Sequence, residues 1–294
     1  MWVRRDLKRL KTLKSKFDKT LKLLSLSYHN LKYLYLYTYY LLLTMENGPV
    51  TIVEEEGVTH KNPIVIEGLP DVGLVGTIAA SYIVDKMDYA KLGYIESELF
   101  PPIMVIHEGK LISPFRIYGN EDVVVVLSEI AIPPDAVYPL TTALTDWFSS
   151  IGARLVISVS GLPMKNRIDI EKPEVFAIGN NDAAMKKLAA KQMELLQEGF
   201  IAGTYAVMLR QCMKRGLSAV SLLAQCFPVY PDPGAAASAI EALDKFINLG
   251  IDVGELMGRE EEIKLKARDL MRETALSAPE MQKGVEQDMP IMYR

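Results

Sequence analysis

Short apolar runs alternate with longer helical stretches along the chain from Met45 onward. Three runs, Asp122–Glu129, Arg154–Ser160 and Leu217–Cys226, are almost uniformly apolar, which is typical of strands buried on both faces of a parallel sheet. Further strands are predicted at Val50–Glu55, Pro63–Glu67, Tyr89–Glu98, Ile103–His107 and Leu111–Tyr118. Helices are predicted at Val72–Met87, Asp135–Gly152, Asp182–Gln197, Thr204–Gly216, Pro233–Leu249 and Val253–Leu276.

This alternation of strands and helices predicts an α/β fold, a three-layer αβα domain with a mostly parallel central sheet. The strand-rich stretch 89–129 predicts an antiparallel or curled part of that sheet. No linker rich in Pro, Gly and Ser interrupts residues 49–250, so one domain is expected over residues 45–252. A charged amphipathic helix at 253–277 and a flexible tail at 278–294 are expected to follow it.

The first 44 residues differ sharply in charge from the rest of the chain. Residues 1–44 carry a net charge of +8, whereas residues 45–294 carry −12. The Tyr/Leu-rich run 31–43 is shorter than the roughly 20 apolar residues that a membrane helix needs. We therefore expect a basic appendage outside the fold, with Met45 as a natural first residue, and hold a membrane-surface anchor as the less favoured alternative. The acidic body excludes a wholly basic nucleic-acid binder.

Cysteine and histidine are too sparse for several kinds of site. Cys212 and Cys226 are the only cysteines, which excludes a disulfide scaffold or a zinc site of paired cysteines and fits a cytoplasmic protein. No HExxH pattern occurs, and His107 beside Glu108 is more typical of a strand end than of an acid–base pair. We expect no metal, no cofactor and no catalytic residues.

A glycine-rich turn between a predicted strand and a predicted helix has two interpretations. Gly68, Gly73 and Gly76 lie where backbone N–H groups could hold a phosphate. The spacing departs from both common phosphate motifs, because Asp71 replaces the first glycine of GxGxxG and Leu74 replaces the P-loop lysine. The favoured interpretation is that these glycines permit a tight turn and close packing of the helix on the sheet.

A second loop follows a central strand, where α/β proteins often bind ligands. Ser160 and Gly161 begin it, and Lys165 and Arg167 follow. These residues could bind an anion or form an ordinary solvated connection. Neither this loop nor the glycine-rich turn contains a nucleophile with a matching base.

The chain ends with an apolar and aromatic segment after a polar stretch, whereas most free tails are polar. Its last residues are Met292, Tyr293 and Arg294. Such a terminus with a free carboxylate suits capture in a partner's pocket. A chance match of three residues is the alternative.

One run, IEGLPDVGLVG at Ile66–Gly76, resembles the opening strand, turn and helix of the proteasome assembly chaperone family and its archaeal homologues. The resemblance covers roughly residues 60–250 and includes Phe100–Pro102, 122–129, 160–163 and Glu198–Gly203. It implies a fold similar to that of nucleoside phosphorylases, no evident catalytic residues, assembly into homo-oligomers, and a role in building the core proteasome.

The resemblance also gives the terminal tripeptide a meaning. Proteins of several kinds that dock on the proteasome end in a hydrophobic residue, a tyrosine and any residue, and Met292, Tyr293 and Arg294 match that motif. The resemblance therefore implies a non-enzymatic chaperone or adaptor that binds the α-subunits of the core (20S) proteasome. An enzyme of nucleoside-phosphorylase or hydrolase type, using the loops at Gly73, Ser160 and Lys165, is the alternative.

Overall fold

The computed structural model describes residues 49–107, 109–268 and 270–272. The chain divides into two units, Met1–Gly48 and Pro49–Arg294, and the described residues belong to the second. The predictions for the basic appendage 1–44 and for the tail 278–294 lie outside the described residues. The same holds for the end of the helix predicted at 253–277.

The described strands and helices follow the predicted order closely. The strands are β1 (Val50–Glu54), β2 (Ile64–Gly68), β3 (Ala90–Ser97), β4 (Val105–His107), β5 (Lys110–Ile112), β6 (Phe115–Gly119), β7 (Val123–Ser128), β8 (Leu155–Pro163), β9 (Val175–Gly179) and β10 (Ala219–Cys226). The helices are α1 (Val75–Lys86), α2 (Val137–Ser150), α3 (Asp182–Ala190), α4 (Thr204–Arg215), α5 (Pro233–Ile247) and α6 (Gly254–Gly258). Residues 260–268 and 270–272 are also helical.

One mixed sheet organises the domain, with the strand order β1-β3-β6-β7-β2-β8-β10-β9. Its centre, β7-β2-β8-β10, is parallel. Strands β1, β3 and β6 extend one side in antiparallel pairing, and β9 is antiparallel on the other edge. The predicted mostly parallel central sheet is therefore confirmed. The stretch 89–129 is antiparallel as predicted, and the antiparallel edge strands β1 and β9 lie outside it. Strands β4 and β5 form a separate hairpin.

Helices cover both faces of the sheet, which confirms the three-layer αβα prediction. Ile64 and Ile66 of β2 face a core that includes side chains of α1, α3 and α5, whereas Val65 faces the core under α2 and α4. This alternation follows from the period of two along a strand. Among the helices that the structure describes, none is long and apolar enough to span a bilayer.

Several elements differ from the predicted ones. The strand predicted at Leu111–Tyr118 is divided between β5 of the hairpin and β6 of the main sheet. The edge strand β9 was not predicted, and α3 ends at Ala190, seven residues before the predicted end at Gln197. The helix ends because Gln192 adopts a left-handed conformation with φ of 50°. The chain then returns to the sheet, where Leu195 forms a parallel bridge with Ala177 of β9.

Candidate functional site at the carboxyl edge of the sheet

The loops singled out in the sequence meet at one edge of the sheet, because parallel strands end side by side. Strands β2, β8 and β10 are adjacent there, with Glu67 of β2 opposite Ser158 of β8 and Ser158 opposite Ser221 of β10. The loop after β2 leads into α1, and the loop after β10 leads into α5. This is the edge at which open α/β sheets commonly bind ligands.

Two of the three glycines in the turn allow α1 to contact the sheet backbone directly. A Cβ atom added at Gly68 would lie under 3 Å from the carbonyl oxygen of Gly76, and one at Gly76 equally close to that of Val159. Gly73 has a positive φ of 65°, and its Cα faces the side chain of Cys226. The space over this turn is therefore filled by the protein's own backbone and side chains.

Asp71 joins the glycine-rich turn to β8. Its Oδ1 accepts a hydrogen bond of 2.8 Å from the backbone N–H of Val72, and its Oδ2 accepts one of 3.0 Å from the hydroxyl of Ser160. Burial raises the pKa of this carboxyl to about 6, although both hydrogen bonds oppose the shift. Gly203, just before α4, approaches the same carboxylate. A carboxylate at the centre of the turn repels a phosphate.

The structure brings Gly73, Ser160 and Gly161 together, whereas the side chain of Lys165 is exposed to solvent. Gly161 lies against Cys226, as Gly73 does. Lys165 is exposed on the loop after β8, and within the described part of the chain it makes no hydrogen bond or ion pair. Among the described residues, no hydrogen-bond partner of Asp71 is a cation that would bind an anion.

Arg167, the other cation of that loop, is buried in an ion pair. Its Nε donates to Oδ2 of Asp232 at 2.8 Å and its Nη2 to Oδ1 at 3.0 Å. Asp232 also accepts hydrogen bonds from the backbone N–H groups of Phe227 and Ala235, so it caps the N-terminus of α5. The pair fixes the loops after β8 and β10 to each other. Arg167 is thus a structural residue and is not free to bind an anion.

Sequence reasoning missed the most unusual residue at this edge, Glu67. Its side chain lies under α4, it is 2% exposed, and its Oε1 accepts a hydrogen bond from the backbone N–H of Leu69 at 2.9 Å. Its Oε2 and the hydroxyls of Ser158 and Ser221 have no partner in good hydrogen-bond geometry among the described residues, although Ser158 is close enough to Glu67 to oppose part of the rise in its pKa. Burial raises the pKa of Glu67 to about 7. Glu67, Ser158 and Ser221 thus form a buried polar row across β2, β8 and β10 that makes few hydrogen bonds.

The chemistry available at this edge is limited. Burial raises the pKa of the Cys226 thiol and of the Tyr205 phenol, so neither is an activated nucleophile. No group of three His, Cys, Asp or Glu residues in the described ranges is placed to hold a metal ion. The carboxyl edge of the sheet therefore consists of polar groups that pack against one another.

The remaining predicted features lie elsewhere. Phe100, part of the segment that carries the family resemblance, stacks on Phe115 of β6 with ring centroids 3.9 Å apart, so the loop after β3 packs on the sheet. Nε2 of His60 lies 2.8 Å from Oε1 of Glu54. The three predicted docking residues, Met292, Tyr293 and Arg294, lie outside the described residues.

An exposed apolar hairpin was also missed. In β4 and β5, Ile106 is 72% exposed and Leu111 is 69% exposed, and the preceding Ile103 and Met104 are exposed as well. The alternation of apolar residues gave the strands, but it could not show that the hairpin leaves the main sheet. Clustered exposed apolar side chains are typical of a protein–protein contact.

Comparison with known proteins gives a consistent result for most of the described domain. The sequence profile of the PAC2 family matches residues 65–271. An uncharacterized protein of Methanocaldococcus jannaschii is 31% identical over 218 residues, which cover 74% of this chain and 89% of that protein.

Solved structures are similar over the same region. The crystal structure of Pyrococcus furiosus PbaA, described as an archaeal homolog of proteasome-assembly chaperone, has a TM-score of 0.73 and 30% identity, and the match covers 78% of this chain and 100% of PbaA. Pyrococcus furiosus PbaB, described as an archaeal proteasome activator, has a TM-score of 0.65 and 24% identity over 76% of this chain and 99% of PbaB. The match to PbaB shows a shared fold.

Proposed function

Because the chain belongs to the PAC2 family, we propose that it is a non-enzymatic assembly chaperone or adaptor that binds the α-subunits of the core proteasome. The observation that carries this proposal is the match to PbaA, which spans that protein's whole length at 30% identity. The packed carboxyl edge is consistent with the proposal, since Arg167 is paired with Asp232 and the described hydrogen bonds of Asp71 come from Val72 and Ser160. The chemistry described above does not favour the enzyme alternative.

Docking is proposed to use the C-terminal tripeptide. The carboxylate of Arg294 would pair with a lysine in a pocket between α-subunits, Tyr293 would fill the pocket and donate a hydrogen bond, and Met292 would add apolar contact. Support for this step comes from the sequence of the tripeptide together with family membership.

We further propose that the protein is a cytoplasmic homo-oligomer. Several copies of one tail would bind a ring of equivalent pockets with higher avidity than a single tail. The exposed side chains of Ile106 and Leu111 support self-association through the β4–β5 hairpin. Light scattering after chromatography should give a multiple of 32.8 kDa for the chain and a smaller mass for Ile106→Asp.

Pull-down of purified core particles tests the proposed function. The full chain should retain core particles, and Tyr293→Ala or removal of residues 292–294 should reduce the retained amount at least about tenfold, because a lost anchor of ~1.4 kcal/mol per site already costs a factor of ten. Tyr230→Ala, which removes an exposed tyrosine from another surface, is the matched control. Equal retention by all variants would refute docking through the tail, and no retention by the full chain would refute proteasome binding.

A further inference from the structure

A groove lies at the edge of the sheet opposite the candidate site, where β2 and β8 begin. It has a volume of about 330 Å³. Its floor is apolar and largely aliphatic, and consists of Ile64, Leu155, Ala190, Phe246 and Ile247. These side chains come from both strands and from the ends of α3 and α5. The groove is therefore bounded by four different elements of the domain.

Hydrogen bonds between these elements fix the shape of the groove. The backbone N–H of Arg154 donates to the carbonyl oxygen of Pro63 at 3.0 Å, which joins the start of β8 to the start of β2. Nζ of Lys245 donates to the carbonyl oxygen of Gln192 at 2.9 Å, which joins the end of α5 to the segment after α3. The folded domain therefore forms the groove before any ligand binds.

Three cationic side chains, Arg154, Lys187 and Lys191, line the groove beside this floor. No described aspartate or glutamate lines it, and none of the three cations forms an ion pair with a residue that the structure describes. The carbonyl oxygens of residues 187–189 already accept hydrogen bonds from the backbone N–H groups of residues 191–193, so the end of α3 does not need the lysine side chains as caps. Their charge remains available to an anion.

The combination of three cations with an aliphatic floor indicates the chemistry of a ligand. Apart from the cations, no described side chain that lines the groove can form a hydrogen bond, so a sugar or a nucleobase would leave its own polar groups unpaired. An alkyl chain has no such groups, and a carboxylate at its end pairs with Lys or Arg. We propose that the groove binds a free carboxylate that carries a single alkyl chain of medium length.

The volume limits the size of that ligand. Pockets for small molecules range from about 300 to 1,000 Å³, so a groove of 330 Å³ suits one alkyl chain and is small for the two chains of a phospholipid. The alkyl chain would lie on the floor, and the carboxylate would lie among the three cations. This site is at the opposite edge of the sheet from Asp71, and it does not depend on the proposed binding to the proteasome.

Isothermal titration calorimetry of the full chain with sodium decanoate, below its micelle-forming concentration and at about 0.15 M salt, tests the proposal. We expect one decanoate per chain and an affinity that rises about two- to fourfold for each CH2 group from hexanoate to decanoate. Acetate, which has the charge without the chain, should show no measurable binding. Decyltrimethylammonium, which has the chain with the opposite charge, should bind at least about tenfold more weakly than decanoate.

A pair of substitutions on α3 tests whether decanoate binds in the groove. Ala190→Phe fills the groove and should abolish the binding. Ala183→Phe is the matched control, because Ala183 is exposed about two turns earlier on the same helix and does not line the groove. It should leave the affinity for decanoate unchanged.

A second pair tests the three cations. Lys187→Glu with Lys191→Glu leaves Arg154 as the one cation among the described lining residues, against two carboxylates. We expect this variant to bind decanoate at least about tenfold more weakly than the parent and to bind decyltrimethylammonium more tightly than decanoate. Lys186→Glu with Lys214→Glu makes the same charge change at exposed positions outside the groove and should keep the preference for decanoate.

Several outcomes would overturn the proposal. The full chain must bind decanoate, and Ala190→Phe must remove that binding. Equal binding of decanoate and decyltrimethylammonium would show that the alkyl chain binds without help from the cations. Thermal midpoints without ligand identify any unfolded variant, and a reversed ligand preference cannot result from unfolding. Retention of the parent on sedimented phosphatidylglycerol vesicles, lost in the groove variants alone, would identify a lipid surface instead of a free carboxylate, whereas no retention supports the proposal.

Discussion

At the scale of single residues, Glu67 gives the clearest measurable consequence. Burial under α4 raises its pKa from 4.5 to about 7 in the folded protein. The folded state therefore holds a proton that the unfolded state releases near pH 4.5. This contribution to stability is fully present below pH 4.5 and is lost as the pH rises through 7. Ionised Glu67 is expected to destabilise the packing of α4 on β2 and β8.

Glu67→Gln should remove this dependence, because a glutamine keeps the acceptor for the N–H of Leu69 without a titrating proton. Urea unfolding of both proteins should show the variant gaining roughly 2 to 3 kcal/mol relative to the parent between pH 5 and pH 8.5. Asp71, whose pKa is also raised, titrates in both proteins, and its charge is only the smallest of the causes that shift the pKa of Glu67. Parallel stability curves would contradict the role assigned to Glu67.

The Arg167–Asp232 pair leads to a second prediction. The two side chains are 9% and 3% exposed, so removing one partner leaves a buried charge without its counterion. Arg167→Met or Asp232→Asn should each lower the free energy of unfolding by about 3 to 5 kcal/mol. The double variant should lose less than the sum of the two, since neither charge then remains. Additive losses in urea unfolding would show that the two groups act independently.

Neither Glu67 nor Arg167 could be identified as buried from the sequence. Glu67 ends a predicted strand and Arg167 lies in a predicted loop, and charged residues in both settings are usually exposed. Their burial depends on Thr204–Arg215 and on Asp232, which come from distant parts of the sequence. Asp71, in contrast, could be identified from the sequence as unfavourable for phosphate binding, because it lies inside the glycine-rich turn.

At the scale of elements, the contact of α1 with the sheet explains the glycines of the turn. An alanine in a helix is normally favoured over glycine by about 1 kcal/mol. At Gly76 the added methyl group would overlap the carbonyl oxygen of Val159, a backbone atom of β8 that cannot move without disturbing the sheet. The steric cost of 1 to 3 kcal/mol should exceed the gain in propensity.

Gly76→Ala is therefore expected to lower the free energy of unfolding by about 1 kcal/mol or more. Gly258→Ala is the matched control, because Gly258 ends α6 and no atom lies within 4 Å of an added Cβ. It should leave stability unchanged or raise it by up to about 1 kcal/mol. Stabilisation by both substitutions, measured as thermal midpoints, would show that α1 can move away from β8.

The predicted elements are correct where the apolar pattern is long. They are wrong where contacts between distant residues determine the local structure. The buried strands β7, β8 and β10 were visible as apolar runs, because both of their faces are covered. Strand β9 is a short edge strand whose residues are mostly half-buried, so its pattern is weak. The end of α3 was misplaced because the pairing of Leu195 with Ala177 overrides a sequence that could continue a helix.

At the scale of the whole molecule, the sequence predicts that the folded domain begins near Met45. The charge changes sign near Met45, and the first described core residue is Val50. The PAC2 match begins later still, at residue 65. Composition and family resemblance together predicted the fold, whereas the ion pair of Arg167 and Asp232 forms only when the loops after β8 and β10 are brought together.

The last prediction concerns the stability and membrane association of a chain that starts at Met45. The charge step near Met45 and the PAC2 match at residues 65–271 both put residues 1–44 outside the family domain, so we expect their removal to leave the urea midpoint within the error of the full chain. A run of 13 residues at 31–43 is too short to span a bilayer, so both chains should also remain in the supernatant when cell membranes are sedimented. Loss of stability would show that the basic segment packs on the domain. Sedimentation of the full chain alone would instead support the membrane-surface alternative, since only residues 1–44 distinguish the two proteins.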